Sequence, residues 1–283
     1  MNFYTIREPK TNEIHKSILT MLRSFNRPFF DHIKKERDVW LYLLKNKIAK
    51  FLIAVKNDNV LGVGGLFMFQ DAASIGYMGV LPEFRSQGIG SDIFQKLMDI
   101  ALNASYKTIN LYASKLGEPI YRKYGFRGSY YANMYSVPIT TPITEIKEKN
   151  IKVISRIPNW VLDLDRETVG FDRSVYLKAR VSLRAKLLIR ENQGYGLISN
   201  ILSNIRLGPV LAINQKTAVD IIKKGISLGA ESIIIPNHPF FQKEVITLTG
   251  LTNKGDPNLK MVYGEEVTGK LSSLYAIGTY AKG

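Results

Sequence analysis

Residues 79–90 read GVLPEFRSQGIG and stand between a strand-like apolar run and the helical pattern of residues 89–104. Gly88 and Gly90 have no Cβ atom, so the backbone can approach a bulky anion closely at these positions. The first N–H groups of the following helix are unpaired and, together with the helix dipole, favour a phosphate group. The stretch predicts a pyrophosphate-binding turn with Arg85 at its rim, although a glycine-bearing turn of this kind can also bind nothing.

A second motif, GEPIYRKYGF at residues 117–126, follows after one further predicted strand. The two motifs at this separation resemble those of the GNAT superfamily, the acetyl-CoA-dependent N-acetyltransferases. Residues 85–90 match its (Arg/Gln)-x-x-Gly-x-(Gly/Ala) pyrophosphate loop, and residues 80–82 match the lead into that loop. Tyr121 precedes a Gly-Phe pair, as in the later motif of the family. The resemblance extends over residues 1–137 in the order of the predicted elements.

The resemblance implies where acetyl-CoA binds and how it reacts. The pantetheine arm would pair with the backbone of Met78 and Val80 like an added strand, beside a bulge near Gly79. The Val80 N–H would stabilise the tetrahedral oxyanion, and Tyr121 would protonate the departing thiolate, unless its ring only packs between helix and sheet. The pyrophosphate would lie on a loop made of Arg85, Ser86, Gln87, Gly88, Ile89, Gly90 and Ser91.

The general base that deprotonates the amine is left open by the sequence. The resemblance implies an acidic residue acting through water, and the candidates are Asp71, Glu83 and Asp31, with His32 as a further candidate. Each of them can equally be an ordinary surface or capping residue. The acceptor is also open, because either a small-molecule amine or an amine of a protein would suit the family.

The predicted elements fall into two similar series. Residues 1–138 predict the order β-α-α-β-β-β-α-β-α-β, which favours a mixed, mostly antiparallel sheet flanked by helices. Residues 139–150 are rich in proline, threonine and charge, and they predict a linker. Residues 151–283 largely repeat the order of the first series. The prediction is therefore an α/β (α+β) fold of two tandem GNAT-like domains, of which the first is catalytic.

The second series resembles the degenerate second domain of tandem GNAT proteins. The resemblance rests on GFDRS at residues 170–174, GPVLA at 208–212 and TGL at 249–251. At the place of the pyrophosphate loop, residues 212–217 read AINQKT and include no glycine that would admit a phosphate. We therefore expect this domain to bind no CoA. We expect the FDR segment, residues 171–173, to contact the first domain.

The composition indicates which catalytic groups, locations and partners are to be expected. The chain has no cysteine and its three histidines stand far apart, so we expect neither an enzyme thioester nor a metal site. No apolar run approaches the ~20 residues that span a bilayer, and the N-terminus shows no signal pattern, which favours a cytoplasmic location without membrane contact. The formal charge of +15 favours anionic partners, but no basic block or basic–aromatic repeat indicates nucleic-acid binding.

The sequence thus predicts direct transfer of an acetyl group from acetyl-CoA to an amine. A rival interpretation is a CoA-binding sensor or scaffold without turnover, which would have no use for Tyr121. A nucleic-acid binder is a third interpretation, and it is supported by the charge alone. The sequence does not define the oligomeric state.

Overall fold

The computed structural model describes residues 3–27, 33–137, 150–201, 204–237, 242–267 and 269–281. In the first half, the predicted order of strands and helices is confirmed. Its elements are β1 (Thr5–Arg7), α1 (Ile14–Ser24), α2 (Ile33–Lys45), β2 (Ala49–Lys56), β3 (Asn59–Met68), β4 (Ala72–Val80), α3 (Ile89–Asn103), β5 (Thr108–Ala113), α4 (Glu118–Lys123) and β6 (Arg127–Ser136).

The second half repeats this order through its fourth helix and then has three strands where the first half has one. The single helical region expected over residues 158–180 is two helices, because Gly170 takes a left-handed conformation (φ 87°) and ends the first of them. Residues 138–149, which hold most of the expected linker, lie outside the described residues. The elements are β7 (Lys152–Ile154), α5 (Asn159–Val169), α6 (Ser174–Ser182), β8 (Lys186–Arg190), β9 (Gly194–Ile201), β10 (Asn204–Ala212), α7 (Gln215–Ser227), β11 (Ser232–Pro236), α8 (Gln242–Thr249), β12 (Thr252–Asn253), β13 (Asn258–Gly264) and β14 (Leu274–Ala276).

All the described strands join one sheet. Its order is β1-β2-β3-β4-β5-β13-β6-β11-β10-β9-β8-β7, with β12 beside β6 and β14 beside β10. The pairs β4–β5 and β10–β11 are parallel, and the other pairs are antiparallel. The predicted α/β fold, with a mixed and mostly antiparallel sheet flanked by helices, is confirmed.

A strand exchange joins the two halves. β13 of the second half lies between β5 and β6, where Met261 pairs with Leu111 on one side and Gly128 on the other. In return, the far end of β6 lies between β11 and β12, and its Tyr135 pairs with Ile233 of β11. Each half therefore contains a strand of the other half, and neither part of the sheet is complete without its partner.

Two hydrophobic cores enclose the first part of the sheet. α3 packs Leu97 against one face, and α1 and α2 pack Ile18 and Trp40 against the other. The core under α1 and α2 also contains Phe171 and Ala281 from the second half. This face is thus covered by both halves together. In the described ranges, no helix combines the length and the apolar character needed to cross a membrane.

Candidate active site

The candidate site is a fork between β4 and β5, called the first fork below. The two strands pair in parallel at only three register positions, of which the last joins Ser74 to Asn110. Beyond this pair, β4 continues to Val80 but pairs with β3 alone, while β5 pairs with β13. Within the described part of the chain, no strand fills the fork, so its inner edges carry unpaired backbone groups.

A β-bulge bends β4 at the fork. Tyr77 and Met78 together stand opposite the single residue Gly64. Tyr77 takes a left-handed backbone conformation with φ of 59°. The extra residue interrupts the regular pairing and turns the strand. The bulge lies directly before Gly79, close to the place that the sequence predicts.

The backbone N–H of Val80 points into the first fork. The neighbouring Leu81 N–H donates to the Leu61 carbonyl at 2.9 Å, on the β3 side. Because successive N–H groups of a strand point to opposite edges, the N–H and the carbonyl of Val80 point away from β3. The Val80 carbonyl accepts a hydrogen bond from Arg85 Nε at 3.2 Å.

Residues 85–91, called the donor loop below, expose backbone N–H groups at the start of α3. Gly88 is the N-cap residue in a left-handed conformation (φ 84°), and no side chain caps this helix. Among the described residues, no backbone carbonyl accepts from the N–H groups of residues 86–91. Arg85 turns back to donate Nη2 to the Ser24 carbonyl at 2.8 Å. It therefore braces the loop against α1 instead of projecting from the rim.

Tyr121 lies on α4, the helix that follows β5. Its ring packs against Phe94 of α3, with ring centres 4.9 Å apart. It also covers Gly117, where a Cβ atom would stand 2.9 Å from Cε2 of Tyr121. Burial raises the pKa of the hydroxyl to about 12, so the group is protonated at neutral pH. The arrangement keeps a neutral hydroxyl above Gly117, at the start of α4.

The acidic candidates from the sequence are less well placed. Asp71 is exposed in the turn between β3 and β4, at the far end of β4 and roughly 30 Å along the strand from Val80. This distance does not support Asp71 as a general base. Glu83 lies beside the donor loop, but its exposed carboxylate pairs with Arg23 Nη2 at 3.2 Å. The further candidates Asp31 and His32 fall outside the described residues.

A carboxylate that the sequence analysis did not single out lies beside the bulge. Oε1 of Glu36 accepts hydrogen bonds from Trp40 Nε1 at 3.2 Å and from the Tyr77 hydroxyl at 3.4 Å. The residue is half-buried on α2. Its signal in the sequence is its place on the apolar face of the helix, three residues after Ile33 and four before Trp40, where a charged residue is unusual.

The second half contains the corresponding fork, the second fork, but the chain itself fills it. β10 and β11 pair in parallel at only two register positions. Beyond them β14 lies alongside β10, where Ala276 pairs with Val210. The next residue, Ile277, bridges to Ile234 of β11. The backbone edges that a pantetheine arm would need are therefore occupied by the last strand of the same chain.

The helix that follows the second fork has a side-chain cap at its start, unlike α3. Asn214 is the N-cap residue of α7, and its side chain accepts from the Thr217 N–H at 2.9 Å. The Ile213 N–H donates to the Gln193 carbonyl at 2.8 Å. A side-chain cap thus satisfies at α7 the kind of donor that stays free at α3.

The FDR segment contacts the first domain, as predicted. Phe171 stacks on Phe69 with ring centres 5.3 Å apart. Arg173 turns inward instead and makes two hydrogen bonds of 2.9 Å with the buried carboxylate of Asp165. The segment therefore joins the domains through its aromatic ring, while its arginine supports the second domain.

Comparisons with known proteins agree with this geometry. Two family models, each described as an acetyltransferase (GNAT) domain, match residues 47–128 and 161–276. The uncharacterized N-acetyltransferase YitH of Bacillus subtilis (strain 168) is 27% identical over 230 residues, which are 77% of this chain and 79% of that protein. A crystal structure of a proposed acetyltransferase from Pyrococcus horikoshii is 28% identical, with a TM-score of 0.89 over 100% of this chain and 97% of the other.

A tandem GNAT protein from the clavulanic acid biosynthesis pathway shares the fold at 11% identity, with a TM-score of 0.61 over 92% of this chain and 98% of the other. In the present chain, the first matched segment contains the open fork, the donor loop and Tyr121, and the second contains β10, β11 and β14 of the filled fork. The chain therefore belongs to the GNAT acetyltransferases and is an acyltransferase with two domains of this family in tandem.

Proposed function

We propose that the first domain transfers the acetyl group of acetyl-CoA directly to an amine. The observation that carries the proposal is the first fork, which is open, edged by unpaired backbone groups and continuous with the donor loop. The second fork, filled by β14, offers no such place. We therefore assign one acetyl-CoA to each chain, as a substrate of the first domain.

Acetyl-CoA would bind along the inner edge of β4. The pantetheine arm would pair with the backbone of Met78 and Val80, as an added strand does at an open sheet edge. The pyrophosphate would then reach the donor loop, where free N–H groups and the dipole of α3 attract its charge. The proposed contacts come from Ser86, Gln87, Gly88, Ile89, Gly90 and Ser91, with Arg85 bracing the loop.

The chemistry follows from two groups at the fork. The amine nitrogen attacks the thioester carbonyl carbon, the C–N bond forms, and the Val80 N–H stabilises the negative charge on the oxygen. The intermediate collapses by breaking the C–S bond, and the thiolate takes a proton from Tyr121. The apolar surroundings that raise the pKa of Tyr121 raise that of the departing thiol as well. Because the chain has no cysteine, the acetyl group goes to the amine without an enzyme thioester.

The test is release of free CoA when the full chain is incubated with acetyl-CoA and a panel of amines. The chain has no cysteine, so a thiol reagent detects released CoA without background from the protein. We expect at least one amine to accelerate release, with a matching N-acetylated product by mass spectrometry. The control is the double variant Gly88→Asp/Gly90→Asp, which places carboxylates at the donor loop and should be inactive.

Two results would contradict the proposal. Tight binding of acetyl-CoA without release in the presence of any amine class would favour the sensor or scaffold interpretation. Unchanged turnover in the double variant would show that the donor loop does not hold the substrate.

A further inference from the structure

A group of charged side chains gathers where the two domains meet, beside the first fork. Glu36 and Tyr77 come from the first domain, and Arg180 of α6 and Arg206 of β10 come from the second. Burial raises the pKa of Tyr77 well above its ordinary value, Glu36 raises it further, and Arg180 lowers it. The Tyr77 hydroxyl is therefore exposed to the electric fields of both the Glu36 carboxylate and the Arg180 guanidinium.

Arg180 is a buried cation of the second domain. Only 8% of its surface is exposed, and its Nη2 donates to the hydroxyl of Ser199. Within the described ranges, no carboxylate forms an ion pair with it. The other buried arginine of this domain, Arg173, has two hydrogen bonds to Asp165. Burying a guanidinium without an anion costs free energy, so the contrast with Arg173 indicates that Arg180 binds an anionic ligand.

Arg206 extends this positive site. It is the cross-strand neighbour of Ser199 on β9 and of Ser232 on β11. Because Arg180 donates to Ser199, both arginines lie beside this serine. Its Nε donates to Ser232 Oγ at 3.4 Å, and no carboxylate of the described residues pairs with it. Burial lowers the pKa of Arg206 to about 10, and the positive charges of Arg27 and Arg180 contribute. Two guanidinium groups with free donors suit a ligand with two or more charged oxygens.

Glu36 provides the opposite charge. Trp40 and Tyr77 both donate to its Oε1, and no donor of the described residues reaches Oε2. The second oxygen can therefore accept a hydrogen bond from an ammonium group. The two donors on Oε1 also hold the carboxylate in one orientation.

The cluster lies on the side from which an acceptor must approach. α3 and its core cover one face of the first sheet, and the pantetheine arm in the fork would close the sheet plane. Only the opposite face remains, which carries α1, α2 and the contacts of the second domain. Tyr77 packs on that face, and its backbone belongs to the bulge three residues before Val80. Glu36 thus lies beside the bulge, and α6, which carries Arg180, packs its Tyr176 and Ala179 into the same core as Tyr77.

We propose that the acceptor is a small primary amine that also carries an oxyanion, bound with its ammonium group at Glu36 and its anion at Arg180 and Arg206. This proposal rests on the proposed acetyl transfer and names the class of its acceptor. The second domain, which has no CoA site of its own, supplies the anion contacts. Polyamines and lysine side chains in basic proteins do not fit, because they would bring further positive charge to the arginines.

The proton balance is simple. Glu36 takes one proton from the bound ammonium group, and the free nitrogen attacks the thioester carbon. As the C–S bond breaks, Tyr121 gives its proton to the thiolate and regains one from the nitrogen through solvent. Glu36 then releases its proton to water, so that each turnover yields the amide, free CoA and one proton.

The test compares matched amines with the full chain. An ω-amino carboxylate series and the matching ω-amino phosphonates carry the anion, and the methyl ester of each carboxylate lacks it. We expect the ester to have a kcat/KM at least tenfold lower than its acid, and the ratio of carboxylate to phosphonate shows which oxyanion the site prefers. Equal or better use of the esters, or of a polyamine, would overturn the proposal.

Variants of the two arginines test whether these residues bind the anion of the acceptor. Arg180→Gln and Arg206→Gln should raise KM for the anionic amine at least tenfold and leave KM for its ester and the dissociation constant of acetyl-CoA unchanged. Arg156→Gln, an exposed arginine of the same domain, is the control and should change neither. If Arg180→Gln does not fold, the comparison is made with Arg206→Gln alone, because Arg206 is only half-buried. Equal loss with acid and ester would show that the arginines have only a structural role.

The variant Glu36→Gln distinguishes a role of Glu36 as general base from a purely structural role. The amide keeps an oxygen for Trp40 and Tyr77 but cannot take a proton, so kcat should fall roughly a hundredfold. A kcat at the wild-type level would remove Glu36 from the proposal.

A binding experiment keeps this inference distinct from the proposed activity. If no amine released CoA, acetyl transfer would be contradicted, and the ω-amino carboxylate and phosphonate would then be titrated into the CoA-saturated protein by calorimetry. Binding that is lost in Arg206→Gln would support the anion site without the reaction. Absence of binding would overturn the anion site as well.

Discussion

Nε of Arg85 donates a hydrogen bond of 3.2 Å to the carbonyl oxygen of Val80, and this contact joins the donor loop to the strand that lines the first fork. Nη2 of the same side chain donates to the Ser24 carbonyl at 2.8 Å and adds the end of α1. One guanidinium therefore holds three elements together. The free donors of the loop and the Val80 N–H keep a common orientation because of it.

Replacing this side chain should affect binding and turnover together. We expect Arg85→Met to weaken acetyl-CoA binding roughly tenfold, the scale of one lost charge-assisted hydrogen bond. The affinity of Arg85→Lys for acetyl-CoA should lie between that of Arg85→Met and that of the wild type, because an ammonium group cannot reproduce the forked geometry of a guanidinium. Calorimetry measures both, and an unchanged dissociation constant for Arg85→Met would show that the loop needs no brace.

The two glycines of the donor loop should differ in their contribution to stability. Gly88 has φ of 84°, a conformation that costs other residues about 1–2 kcal/mol. Gly90 lies within α3, and a Cβ there would meet Val80 Cγ2 at an ordinary 3.5 Å. Gly88→Ala should therefore lower the melting temperature by a few degrees, while Gly90→Ala should leave it unchanged or raise it. Equal melting temperatures would contradict the assigned conformation.

Tyr121→Phe should lower kcat roughly a hundredfold, because the ring is kept and only the proton donor is lost. Binding of acetyl-CoA should be unchanged. The pKa of about 12 means that the protonated, active form persists as the pH rises, so Tyr121 should cause no alkaline loss of kcat until the pH approaches that value. Wild-type turnover in the variant would reduce Tyr121 to a packing residue.

The separate halves should not behave as independent domains. Residues 1–141 alone lack β13, so β5 and β6 would each lose a neighbour and expose unpaired edges. We expect this fragment to show no cooperative thermal unfolding by circular dichroism. Co-expression with residues 150–283 should restore it. A fragment that folds and binds acetyl-CoA alone would show that the exchanged strand is dispensable.

The first fork could be predicted because its determinants are local. The donor loop and Tyr121 belong to short motifs whose residues stand close together in the sequence. The exchange of β6 and β13 could not, since strands with similar apolar patterns can pair in either half, and the choice depends on contacts over a hundred residues apart. The proposed base illustrates the same limit: Asp71 is near the fork in sequence but not in space, whereas Glu36 reaches the bulge only through the packing of α2.

The filling of the second fork depends on a distant segment in the same way. The lack of glycine at residues 212–217 indicates a missing phosphate loop, and the side-chain cap by Asn214 gives the physical counterpart. That β14 would occupy the fork has no local signal, because Leu274–Ala276 is too short to show a pairing preference.

The decisive measurement is a calorimetric titration of the full chain with acetyl-CoA. We predict one binding site per chain, located in the first domain, and no detectable binding in the double variant Gly88→Asp/Gly90→Asp. The added carboxylates would stand against the pyrophosphate, and their Cβ atoms would block the approach of the backbone. Two equivalent sites per chain, or undiminished affinity in the double variant, would contradict the assignment of the open fork as the acetyl-CoA site.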